Sequence, residues 1–382
     1  MPAILVGGDV CPLGPNESLF REGRAGAIFG DLLPELERSD FRVVNLECPL
    51  VTDRSPIRKV GPVLAVSKDC VNGLRAAGID AVNLANNHIL DQGEVGLRST
   101  IDACASAGIG FFGAGSNRTE AGRVFIRNVK GIRIGFYGVV DMWPCLAGSH
   151  RWGANPIDVL DVAKTFRREL PALDFLVVLV HAGSEHFQYP SPGLQRLCRF
   201  LAEEGAGAVI CQHSHCPGCY EFYEGTPIVY GQGNLVFHWS GDRATWHEGM
   251  LVRLDLRGTR ECSVEWVPYC QSPKEPGIRR MSATREREFI DELALRAGEI
   301  QVDGFVEAKW AEFCQERRHG YEGVLYHRTN WLPRTLRRLH VSDWLYSDES
   351  RALVRLFIQC ETHREVLLKI LGDEAERAGY QR

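Results

Sequence analysis

The chain has 382 residues, 45% hydrophobic and 24% charged, an ordinary balance for a folded protein that excludes a fibrous or disordered class. Its 44 lysines and arginines stand against 49 aspartates and glutamates, and a net charge of -5 offers no basic field to nucleic acid or an anionic membrane. The amino-terminal apolar run AILV has no basic leader and is too short for a signal peptide or a span, so the expectation is a cytoplasmic protein without nucleic-acid or membrane partners.

In chain order, short apolar runs alternate with amphipathic stretches: AILVGGD (3–9), FRVVNLE (41–47), DAVNLAN (80–86), FLVVLVH (175–181), AVICQH (208–213) and PIVYGQGN (227–234). Each reads as a buried strand that ends in a polar group. Between them, Ser67–Ala77, Gly93–Ala107 and Ser191–Glu204 read as helices, with Ser67 and Ser191 as N-caps and Gly78, Gly108 and Gly205 as stops. Val124–Val140, with Lys130-Gly131 at its middle, and Met250–Tyr269 read as antiparallel hairpins. Mixed sheets flanked by helices follow, an α/β sandwich.

Composition shifts at Ser272–Gly277, where Pro273 and Pro276 fall, and this sets an expected boundary between residues 1–272 and a mainly helical extension, 273–382, packed on the core. In that extension Leu353, Leu356, Phe357, Cys360, Leu367, Ile370 and Leu371 fall largely on one helical face. Trp310, Trp331 and Trp344 suit either a core or a partner groove. The 13 cysteines are scattered and lie in apolar patterns, which reads as buried, reduced thiols. Nothing in the sequence assigns an oligomeric state.

The strand tips carry the chemistry. Asp9, Glu47, Asn87, His181 and His213 stand at five of them, and His215 follows two residues after His213. Singly, each is an ordinary turn former or structural hydrogen-bonding group. Together, carboxylates, an amide oxygen and imidazoles form a donor set that suits Zn, Mn or Fe(II). Two other motifs do not hold up. Gly108, Gly110 and Gly113 spell G-x-G-x-x-G but follow a helix and enter a strand, the reverse of a dinucleotide site. Cys216-Pro217-Gly218-Cys219 precedes a hairpin pattern rather than a helix, so it reads as a turn with two thiols instead of a redox motif.

The strings GGDV, NLECPL, NLANNHILDQGEVGLRSTIDACASAGIGFFGAG, HAGSEH, QHSHCP and IVYGQGNLVF resemble, in order, the blocks of the CapA or poly-γ-glutamate capsule protein family over residues 2–240. The resemblance implies a calcineurin-like metallophosphoesterase fold, an αββα sandwich. It implies that Glu47 bridges two metal sites, one completed by Asn87, His181 and His213 and the other by Asp9 and His215, holding one or two divalent ions of Mn, Zn or Fe. His88 becomes the proton donor, with Asn86 and Asp91 as its orienting groups and Asn86 also facing substrate. Glu185 and His186 become substrate-contacting or acid–base groups, against a solvated loop. Asn234 becomes a substrate contact, against a left-handed turn residue. Cys11 stands where the phosphoesterase pattern has a histidine.

The first functional expectation is a hydrolase of phosphoester-type substrates. The alternatives are a peptide epimerase working by α-proton exchange, and a poly-γ-glutamate factor or non-catalytic scaffold. The substrate is a small molecule, a peptide or a polymer.

Overall fold

A strand with no polar face has to be covered on both sides, and the unbroken apolar runs are placed accordingly. Ala3–Cys11 (β1) is buried at every position and begins a parallel set with Phe41–Leu46 (β2), Ala81–Asn83 (β3) and Gly110–Phe112 (β4). Helices Val71–Ala76 (α1) and Gly93–Ser106 (α2) return the chain between β2 and β3 and between β3 and β4. This is a computed structural model, and it describes residues 1–325 except Val60, 142–144 and Thr259, with side chains to residue 316.

A second sheet is built from Phe125–Val129 (β5), Ile132–Val140 (β6), Phe175–His181 (β7), Ala208–Gln212 (β8), Tyr220–Tyr223 (β9) and Thr226–Val229 (β10), in the order β9-β10-β8-β7-β6-β5. Its helices are Val159–Glu169 (α3) and Pro192–Glu203 (α4). The chain then returns to the first sheet. Asn234–Phe237 (β11) lies parallel to the carboxyl end of β1, Glu248–Gly258 (β12) lies antiparallel to its amino half, and Glu261–Gln271 (β13) and Ile278–Arg280 (β14) extend that edge. β1 therefore sits centrally, among neighbours far from it in sequence.

Three apolar layers hold these elements. Between the sheets, Val6, Val43 and Phe112 meet Phe136, Val177 and Ile210, and Phe41 stacks on Phe136 at 5.1 Å. Outside the first sheet lie Phe20, Leu74 and Leu97. Outside the second lie Val162, Phe166, Leu194 and Leu201. The result is the αββα sandwich, with both expected hairpins formed by β5–β6 and β12–β13. Ser191 caps α4 by accepting from the Leu194 amide, whereas Ser67 caps a short 3-10 turn, Lys68–Cys70, that leads into α1.

One expected strand is two. PIVYGQGN breaks at Tyr230–Gly233, where the chain leaves β10 in one sheet and enters β11 in the other; Gly233, at φ 76°, makes the bend. The expected boundary after Ser272 falls in the turn between the paired strands β13 and β14. By contact, the chain divides into one compact unit of Met1–Ile57 with Gly61–Val306, and a second of Arg58–Val60 with residues 307–382. The first contains helix Ala283–Glu299 (α5). Helix Phe305–Leu325 (α6) runs on into the second, where Trp310 stacks on Phe313 at 5.5 Å. Trp331, Trp344 and the apolar face from Leu353 to Leu371 lie outside the described residues. Among the described residues no helix is long and apolar enough to cross a membrane, and every described cysteine is a free thiol.

Gly7 and Gly8 sit where the β1–β2 register slips between Val6 and Asp9, a bulge that re-aims the aspartate. A Cβ on Gly8 would lie 2.1 Å from the Gly233 carbonyl oxygen, a backbone atom that cannot swing aside. Gly8→Ala is expected to cost about 1–3 kcal/mol of unfolding free energy. An unchanged urea midpoint would show that this approach is looser than described.

Candidate metal centre

The carboxyl ends of the parallel strands in both sheets converge, the position at which open α/β sheets present their sites. Asp9 stands near the end of β1, Glu47 directly after β2, Asn87 after β3, His181 at the last residue of β7, and His213 and His215 after β8. Two groups of donor atoms gather there: Glu47 with His181 and His213, and Glu47 with Asp9 and His215, each within 4.8 Å. Glu47 Oε1 lies 3.5 Å from His181 Nε2 and 3.9 Å from His215 Nε2. Asn87 Oδ1 lies 2.8 Å from His181 Nε2, at the edge of the first group.

The electrostatics of this cluster follow from burial. Asp9 is 1% exposed, and desolvation, reinforced by the Glu47 carboxylate, pushes it up to about 8. Desolvation lowers His181 to about 4 and His215 to about 3, and takes His213 well below its ordinary value, so all three imidazoles are neutral. Asp9 pairs with no lysine or arginine among the described residues. His213 Nδ1 is buried without a hydrogen-bond partner there. Three neutral imidazoles, with an unpartnered nitrogen on His213, beside crowded carboxylates short of positive charge, fit a divalent cation. Cys11 belongs to neither donor group, and burial pushes its thiol well up, as do its neighbours Cys48 and Glu47.

The histidine loop is held under strain. His213 and His215 adopt φ of 95° and 54°, left-handed values that cost a non-glycine residue roughly 1–3 kcal/mol each. The His213 amide donates to Asp9 Oδ2 (3.2 Å), and His215 Nδ1 meets Asn234 Oδ1 (2.8 Å).

Other expected residues have definite places. Asp91 Oδ2 lies 2.7 Å from His88 Nδ1 and also accepts from the Leu64 amide. Asn86 is fully buried and shapes the turn, donating to Asn45 Oδ1 and the Leu46 carbonyl and accepting from the His88 amide. Asn234 starts β11, is absent from the left-handed region expected of a turn residue, and meets His215 Nδ1. His186 bonds through its amide to the Ser214 carbonyl (2.7 Å), and its ring lies 5.8 Å from Trp246. Glu185 is exposed, with no hydrogen bond or ion pair to the cluster.

Sequence reasoning missed Asn45. Its Nδ2 donates to Asp9 Oδ1 (2.7 Å) and lies 3.2 Å from His181 Nδ1, while its Oδ1 accepts from Asn83 and Asn86 (3.2 Å each). A signal existed: Asn45 and Asn83 each interrupt an apolar strand with the same V-N-L pattern, and a polar group inside a covered strand requires a partner.

A family model described as bacterial capsule synthesis protein, PGA_cap, matches residues 3–239. The chain belongs to that family. It is 30% identical over 251 residues to the capsule biosynthesis protein CapA of Bacillus anthracis, covering 63% of this chain and 60% of that protein. It is 25% identical over 281 residues to the PGA biosynthesis protein CapA of Bacillus subtilis (strain 168), covering 72% and 73%. The chain thus spans less than two thirds of the length of the B. anthracis relative. Among solved structures, a hypothetical protein from Thermus thermophilus aligns with a TM-score of 0.46 and 16% identity, over 71% of this chain and all of that one. The PGA_cap match covers every residue of the metal centre and stops before β12.

Elemental analysis of protein purified without chelators is expected to find Mn, Fe or Zn in the wild type, lost in His213→Ala and retained in Cys11→Ser. Asn45→Ala is expected to weaken metal affinity by about 10–100-fold, as losing a group that orients ligands does. Wild-type affinity in a chelator competition would remove Asn45 from that role.

Proposed function

We propose that this PGA_cap-family protein is a metal-dependent hydrolase of phosphoester-type substrates. The observation that carries the reading is the pair of buried donor groups sharing Glu47, set beside an imidazole, His88, that is anchored by a buried carboxylate. Glu47, Asn87, His181 and His213 would hold one divalent ion, and Asp9, Glu47 and His215 a second. An ion bound there supplies Lewis acidity toward a phosphoryl oxygen.

The chain's own groups do the rest. Asp91 accepts from His88 Nδ1–H, which fixes the ring and stabilises its protonated form, leaving Nε2–H to be given to the departing oxygen. Asn45 keeps His181 and Asp9 in register, and Asn234 does the same for His215. The buried floor of the site, with Glu47 and His181 at 0% exposure, keeps bulk water from competing with these contacts.

The epimerase alternative would use His88 or Glu185 as the acid or base that removes and returns an α-proton; Glu185 is exposed and has no bond to the cluster, which weakens its claim to that role. Because the relatives' names concern capsule and PGA biosynthesis, we extend to this chain a substrate from polymer synthesis of that kind.

With Mn or Zn added, the protein is expected to release phosphate from aryl phosphates. His88→Asn should lower kcat by about 10²–10⁴-fold with metal content unchanged. Solvent deuterium entering a peptide α-carbon, without any phosphate release, would sink the hydrolase reading.

A further inference from the structure

The strained histidine loop needs more support than its own strands give it. From Gln212 to Cys219 its contacts run inward: Gln212 Nε2 to the Gly7 carbonyl (3.0 Å), the Gly218 amide to the Gly231 carbonyl (3.0 Å), and Gln188 Nε2 to the Pro217 carbonyl (3.0 Å). All these partners lie within residues 3–239, the span of the family match. One does not. Arg296, on α5, donates from Nε to the Gly218 carbonyl at 2.9 Å.

Arg296 is an unusual residue to find there. It is 7% exposed, although a guanidinium is seldom buried without a close carboxylate, and its nearest ion pair is Glu292 at 3.9 Å, itself 46% exposed. Three residues further on, Glu299 accepts from the Tyr189 hydroxyl, 2.5 Å away. Tyr189 belongs to the loop after β7 that carries His186, whose amide is bonded to the histidine loop at Ser214. The carboxyl-terminal half of α5 thus reaches both loops that flank the metal centre, one through a cation and one through an anion. The other half is fixed independently: Phe289 and Leu293 are buried in the inter-sheet core, and Arg285 forms a two-pronged pair with Glu248.

We infer that α5 is a clamp on the metal centre, in which Arg296 is a positioning residue for His213 and His215 and Glu299 steadies the adjoining loop through Tyr189. A left-handed histidine backbone persists only if its surroundings over-determine it. Arg296 contributes a charged donor to the Gly218 carbonyl, two residues before β9 begins, where a slack loop would let both imidazoles turn away from Glu47. The clamp itself does not depend on hydrolysis; the proposed function enters only through metal affinity.

The test compares wild type, Arg296→Met, Arg296→Lys and Tyr189→Phe as full chains. Hydrogen exchange by mass spectrometry is followed on peptides spanning 212–219 and 184–190, and Mn affinity is titrated in parallel. Arg296→Met should speed exchange in 212–219 selectively and weaken Mn binding by about 10–100-fold, and Arg296→Lys, which keeps a donor, should recover most of both. Tyr189→Phe should loosen 184–190 alone. Wild-type exchange at 212–219 in Arg296→Met overturns the clamp, as does a uniform rise across all peptides, which marks a merely stabilising residue. If Arg296→Met does not fold, Tyr189→Phe decides: unchanged exchange at 184–190 overturns the inference. If the wild type itself takes up none of Mn, Zn or Fe, the hydrolase reading fails, and the exchange rates still decide the clamp.

Discussion

The side chain of Asn45 is the joint on which the centre turns. One amide group donates to Asp9 on its own sheet, lies 3.2 Å from His181 Nδ1 on the facing sheet, and accepts from Asn83 and Asn86, all in a fully buried position. A carboxylate would repel Asp9, and an apolar residue would take a buried donor from Asp9 Oδ1, at about 1–3 kcal/mol for a group left unsatisfied. The two sheets are thus locked together by polar contacts at the level of the site, while Phe41 on Phe136 and its neighbours lock them by packing below it.

That joint explains why the two donor groups differ. Glu47, His181 and His213 lie together with the Asn87 amide oxygen at the edge, so four residues converge. Among the described residues Asp9, Glu47 and His215 gather no fourth donor, and Cys11 is not one of the group. The half of the centre nearer β1 is the poorer in donors. Any preference of the protein for one ion over another is therefore decided by unequal sites.

Much of this was legible in the amino-acid sequence, for identifiable reasons. Covered strands are continuous apolar runs, so the polar residues that end them, Asp9, Glu47, His181 and His213, stand out against the pattern. Their sorting into two groups around Glu47 needed the family resemblance, since spacing along the chain says nothing about which tips face each other. Asn45 and Asn83 were overlooked because an asparagine within a strand announces a need and not a partner. The crossing at Tyr230–Gly233 was read as one strand because a β-branched run and its glycine-rich exit look alike whether or not the next strand joins the same sheet. Arg296 was invisible for another reason: α5 carries charged residues on most of its turns, and only burial distinguishes this one from the solvated rest.

The place of β1 in its sheet has a consequence for how the protein is made. Val6 pairs with Val43 on one side and with Val252 on the other. A ribosome adding about 5–20 residues per second needs on the order of 10–50 s to deliver the second partner after the first strand has emerged. During that interval an apolar nine-residue strand has one edge unsatisfied, an invitation to foreign pairing. A β1–β2–β3 sheet already packed against its own helices would shield that strand in the interval.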